Sequence, residues 1–169
     1  FLLVSDCAVP YLALGQGIGR IGCFLNGCCY GKPSNLPFAI SFPEGCPVFQ
    51  SYPGNNGWSQ AVHPTQLYAV VGLIFLCIFL IYIRDEWSPF TGFTIPAYFF
   101  LHGLLRFINE FFRGDHNPTL LGFGILSDQQ MFCIFEIFLG LLLFWFIKTY
   151  HTIQKVTAET PQSSKKKKK

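Results

Sequence analysis

Charge is what this sequence has least of. Acidic and basic residues make up 12% of its 169 positions, about half the share of an ordinary soluble domain. That deficit excludes a globule with an evenly charged, water-covered surface, and no nucleic-acid partner is expected. Methionine occurs once, and the chain opens on Phe1 inside an apolar run. The basic start and small-residue cleavage site of a signal peptide are both missing, and the chain reads as lacking an upstream segment. Seven cysteines are too few for a disulfide scaffold. Internal repeats are absent as well.

What is present is apolar: hydrophobic residues reach 51% and aromatics 18%, with 20 phenylalanines. Long uncharged runs alternate with short polar stretches, the pattern of a bilayer-spanning chain. The clearest run, LYAVVGLIFLCIFLIYI at residues 67–83, carries no charge; Pro64 opens it and Arg84-Asp85-Glu86 close it. Some 20 residues at about 1.5 Å each match one hydrocarbon core of about 30 Å. The expected fold is an all-α integral membrane protein, a polytopic bundle over residues 1–155. Its spans fall near 1–22, 65–84, 93–112 and 126–148. The first is the least regular, being broken by Asp6, Pro10 and four glycines.

Residues 23–63 are rich in Gly, Pro, Asn and Ser, which marks a loop, with short strands expected around residues 38–42. A loop this long tends to be functional. Lys148, Lys155 and the run at 165–169 put the C-terminus on the cytoplasmic side by the positive-inside tendency. Alternation then places the 23–63 loop and the 113–124 turn on the outer face, with Arg20, Arg106 and Arg113 beside them. Residues 156–169 read as a disordered basic tail, an artificial extension being the alternative. The bilayer itself is the first expected partner.

Three arginines at the outer face oppose the usual charge bias and need another explanation. Arg106 and Glu110 share a helix face at a spacing of four, and Asn109 and Arg113 extend it. One reading is an internal ion pair that locks helices. The other is an anion clamp in which Glu110 orients Arg106, whose planar fork suits phosphate oxygens. In LGQGIGRIGCFLNGCCYG, residues 14–31, the glycines suggest close helix packing, which accounts for Gly15 and Gly19. It does not account for Arg20 or for Asn26-Gly27, which set a fixed charge and an amide beside a flexible turn. His63-Pro64-Thr65 reads as a helix start capped by Thr65 or His63, and His63 is also available as a proton acceptor. Cys77 and Cys133 read as small hydrophobes. Cys23, Cys28, Cys29 and Cys46 invite a metal or redox reading and leave open a metal, a disulfide of Cys46 with one of the pair, or plain small residues. Their spacing matches no common zinc pattern, so no metal ligand is assigned.

Together these segments resemble one family, the bacterial prolipoprotein diacylglyceryl transferases. The matching residues are Gly19-Arg20-Ile21-Gly22 with Phe24, Asn26-Gly27 and Tyr30-Gly31. They continue with His63-Pro64-Thr65-Gln66-Leu67-Tyr68, then Gly103, Arg106 and Glu110-Phe111-Phe112-Arg113, then Ser127 and Gln130. Their order and separations also fit. The resemblance implies a multi-pass inner-membrane enzyme of bacterial lipoprotein maturation. Such an enzyme moves a diacylglyceryl group from phosphatidylglycerol to the lipobox cysteine thiol of a preprolipoprotein, without a cofactor. It implies substrate binding by Arg20, Asn26, Gly31 and Arg113, and catalytic roles for Arg106, Glu110 and His63. This chain departs from the family at Cys23, Cys28 and His102, and a His-Gly-Gly element would lie upstream of Phe1. A phospholipid-binding relative without transfer and a thiol-rich metal transporter are the competing expectations.

Overall fold

The computed structural model describes residues 2–115 and 127–166, with side chains described through Gln154. Five α-helices follow one another: α1 Leu2–Asn26, α2 Pro47–Ser51, α3 Thr65–Tyr82, α4 Thr94–Glu110 and α5 Asp128–Lys166. A π-helical turn, Ile83–Trp87, continues α3. Among the described residues, three helices are long and apolar enough to cross a membrane, Leu2–Asn26, Thr65–Trp87 and Asp128–Gln154. The chain is a multi-pass membrane protein.

The span expected over 93–112 forms a somewhat shorter helix. α4 has 17 residues, about 25 Å at about 1.5 Å each, and His102, Arg106, Asn109 and Glu110 interrupt its apolar run. It is held instead between neighbours, against α5 on one side and α3 and α1 on the other. The close α4–α5 approach depends on two glycines. A Cβ at Gly103 would meet the Cys133 carbonyl oxygen at 3.0 Å, and one at Gly140 would meet the Phe100 amide nitrogen at 2.8 Å.

α1 buries Asp6, Pro10, Ala13 and Gly17, a stripe at helical spacing turned towards Leu73, Leu76, Cys77 and Leu80 of α3 and Tyr98 of α4. A Cβ at Gly17 would lie 3.6 Å from Leu73 Cβ, whereas Cβ atoms at Gly15 and Gly19 would meet nothing described within 4 Å. The packing role expected of Gly15 and Gly19 therefore belongs to Gly17; glycine spacing gives a period but not the buried face. Asp6, which interrupts the apolar run in sequence, serves α4. Its carboxylate accepts from Gly92 N at 2.6 Å, Thr94 N at 3.1 Å and Thr94 Oγ1 at 2.6 Å, satisfying donors that a helix start leaves open.

Residues 27–64 form an ordered cap on one end of the bundle. Tyr30, Phe42, Val48 and Val62 make its own small core, with Phe24, Ile40, Cys46 and Tyr52 around it. Where short strands are expected at 38–42, there are isolated bridges, Ile40 with Val62 and Pro43 with Trp58 among them. Prolines lack the donor that a longer ladder needs. α5 continues as helix through residues 156–166, where composition suggests a disordered tail. The expected span start at 126, the turn residues 116–124 and the last lysines at 167–169 lie outside the described residues.

Candidate functional site

α1 ends in a Schellman turn: Gly27 N bonds Phe24 O at 3.1 Å and Cys28 N bonds Cys23 O at 3.1 Å, with Gly27 at φ 65°. Such a turn reverses the chain at a left-handed residue and brings Cys28 and Cys29 back over the last turn of α1. The first turn of α3 then grips it. Thr65 Oγ1 donates to Cys29 O at 2.8 Å and Gln66 Nε2 to Cys28 O at 2.8 Å. Thr65 is thus no cap of its own helix; Pro64 stands at the N-cap without a side-chain bond. Asn109 Nδ2 of α4 donates to Thr65 O at 3.2 Å, so three helices meet at one point beneath the cap.

Just inside that junction is a cavity of about 390 Å³. α1 lines it with Gln16, Gly19, Arg20 and Cys23, α3 with Tyr68, Ala69, Gly72 and Leu73, and α4 with a polar stripe from His102 to Glu110, followed by Arg113 just past its end. Three guanidinium groups, Arg20, Arg106 and Arg113, face one carboxylate on its wall, Glu110. They are not equivalent. Arg113 is committed: Nη2 donates to Asp115 Oδ2 at 2.8 Å and Nη1 to Glu110 Oε2 at 3.4 Å. Burial opposes its charge, yet these carboxylates outweigh burial and hold the guanidinium above its ordinary pKa. Arg106 Nη2 donates to Gln129 Oε1 at 2.9 Å. Among the described residues, no acceptor engages the guanidinium of Arg20.

A net positive, partly enclosed cavity with apolar walls suits an amphiphile with an anionic group. A family model for prolipoprotein diacylglyceryl transferase matches residues 1–146. The chain belongs to the prolipoprotein diacylglyceryl transferase family. Among curated relatives, the phosphatidylglycerol–prolipoprotein diacylglyceryl transferase of Clostridium tetani is 36% identical over 143 residues, covering 85% of this chain and 53% of that protein. The second such transferase of Clostridium perfringens is 34% identical over 85% of this chain and 51% of its own. That of Aeromonas salmonicida is 33% identical over 86% and 48%. The chain spans about half the length of the curated relatives it matches.

Of the residues that resemblance to the diacylglyceryl transferases singles out, Arg20, Arg106, Glu110 and Arg113 line the cavity. The other three do not. Asn26 is the exposed last residue of α1. Gly31 sits in a bridge to Arg113, where a Cβ would lie 2.4 Å from His63 Cβ, so its part is close approach of backbones. His63 lies behind the wall, with its Nδ1 hydrogen-bonded to Tyr68 Oη at 3.1 Å and its ring against Phe112. Arg106 is bonded from α5 by Gln129, and Ser127 Oγ donates to Glu110 Oε1 at 3.0 Å. Sequence reasoning missed Gln16 and Gln129. Gln16 had a signal, since Gln16, Arg20 and Cys23 fall at i, i+4 and i+7.

All seven cysteines are free thiols. Burial pushes the Cys29 thiol up to about 11, so this cysteine is no activated nucleophile at neutral pH. His102 Nδ1 pairs with Glu136 Oε1 at 2.6 Å across α4 and α5.

Proposed function

We propose that the cavity holds the phosphate of phosphatidylglycerol between Arg20 and Arg106, for diacylglyceryl transfer to the cysteine thiol of a prolipoprotein. The carrying observation is the uncommitted guanidinium of Arg20, aimed into a cavity whose walls are otherwise apolar on α3. A charged group without a partner is costly inside a membrane protein; a phosphate supplied by a lipid removes that cost through bidentate hydrogen bonds. Gly72 and Leu73 would lie along the acyl chains, and the cap over residues 27–64 would face the acceptor peptide. In the family reading that end of the bundle is the outer face of the bacterial inner membrane, with the C-terminus cytoplasmic.

In the transfer, the acceptor thiol loses its proton and its sulfur forms a C–S bond to the glycerol carbon of the diacylglyceryl group. The C–O bond to the phosphate breaks, and glycerol phosphate leaves with the electron pair. The added negative charge on the leaving phosphate is what Arg20 and Arg106 stabilise, and a fixed cation already in place needs no reorganisation as that charge develops. Gln129 keeps Arg106 aligned, and Glu110 keeps Arg113 in place through its 3.4 Å pair. His63 reaches the cavity through Tyr68, so its assignment as base runs along that hydrogen bond.

The test uses liposomes with phosphatidylglycerol labelled in its diacylglyceryl part and a lipobox peptide, with this chain alone and with the longer native form. Label should move to the peptide thiol, and Arg20→Ala or Arg106→Ala should abolish it. Retained lipid with no transfer by either length would overturn the enzyme reading and leave a phospholipid-binding relative.

A further inference from the structure

The Schellman turn does more than end α1. The Sγ atoms of Cys23, Cys28 and Cys29 all lie within 4.8 Å of one another, although CxxxxCC is not a pattern that announces a metal site. We infer that these three thiols form a trigonal site for a soft monovalent d10 cation of the Cu(I) class, at the junction of α1 and the cap.

Three features support it. The first is distance: with metal–sulfur bonds of about 2.3 Å, three thiolates in a plane sit about 4.0 Å apart, so the resting sulfurs need close by well under 1 Å. The second is preorganisation. Cys29 holds φ 58°, a left-handed conformation that a non-glycine residue rarely adopts. The bonds from Thr65 Oγ1 and Gln66 Nε2 pin that turn in place, and Cys28 Sγ rests 3.6 Å from Cys23 O. The third is ligand number. Soft thiolate donors suit both Cu(I) and zinc, but structural zinc takes four ligands, and three sulfurs converge here among the described residues, the set that a trigonal Cu(I) ion needs.

The three ligands carry no role in the proposed transfer, so the site stands independently of it. Cys23 also lines the cavity beside Arg20, which puts a bound ion in the cavity wall.

The full chain, purified under reductant in detergent, is titrated with Cu(I) against a chromophoric Cu(I) chelator. One ion per chain is expected, with X-ray absorption fitting three sulfurs at about 2.3 Å. Cys23→Ser and Cys28→Ser, each checked for helical content, should each weaken competition at least tenfold, and Cys7→Ser at the far end of α1 should leave it unchanged. Failure to compete, a copper shell without three sulfurs, or affinity indifferent to Cys23→Ser in a folded variant would each overturn the site.

Discussion

The two ends of α1 each carry an ionisable residue in an apolar helix, and they are used in opposite ways. Asp6 is buried, and its oxygens accept three hydrogen bonds from the start of α4. Arg20, 14 residues on and about 21 Å further along the axis, faces a cavity with no acceptor among the described residues. A charged residue within the membrane is commonly taken as a functional signal. The comparison refines that rule: the satisfied charge builds the fold, and in the proposed function the unsatisfied one takes a ligand.

Several substitutions sharpen or break that contrast. The largest effect falls on function at the open end. Arg20→Gln should lower transfer at least 100-fold in the labelled-lipid assay, about 2.7 kcal/mol of barrier, while the melting temperature in detergent holds. The closed end should behave in reverse. Asp6→Ala strands two backbone N–H groups and a hydroxyl, and should cost about 2 kcal/mol of stability in denaturant unfolding; what remains folded should transfer normally. Gln129→Ala releases Arg106 without removing its charge, and should lower transfer about tenfold, some 1.4 kcal/mol, with partial rescue by Gln129→Asn. Smallest is Gly15→Ala, at a helical site whose Cβ meets nothing. It should raise helix stability by at most about 1 kcal/mol, and a loss of stability there would restore the packing role that glycine spacing suggests.

The same contrast explains what was legible in the sequence. Uncharged runs reveal α1, α3 and α5, because the bilayer demands length and apolarity together. α4 was legible as a run, but the part its polar stripe plays was not, since that stripe acquires meaning only when α1 and α3 face it. Arg20, Arg106, Glu110 and Arg113 stood out as charges in apolar surroundings. Gln129 did not, because an uncharged amide carries no such signal. Asp6 read as an interruption because its partners, Gly92 and Thr94, lie 86 and 88 residues away. The thiols stood out in sequence, but their spacing matched no metal pattern, because a helix-ending turn, and not sequence spacing, carries Cys28 and Cys29 back over Cys23.

The most direct test of the account is lipid retention compared across the two ends of α1. Wild type, Arg20→Gln and Asp6→Asn are purified in parallel, and co-purifying phosphatidylglycerol is counted against a zwitterionic phospholipid by mass spectrometry, with thermal melting alongside. The account predicts that Arg20→Gln loses the preference for phosphatidylglycerol and keeps its melting temperature, whereas Asp6→Asn melts lower and keeps the preference. Anionic lipid retained by Arg20→Gln at the wild-type ratio would contradict it.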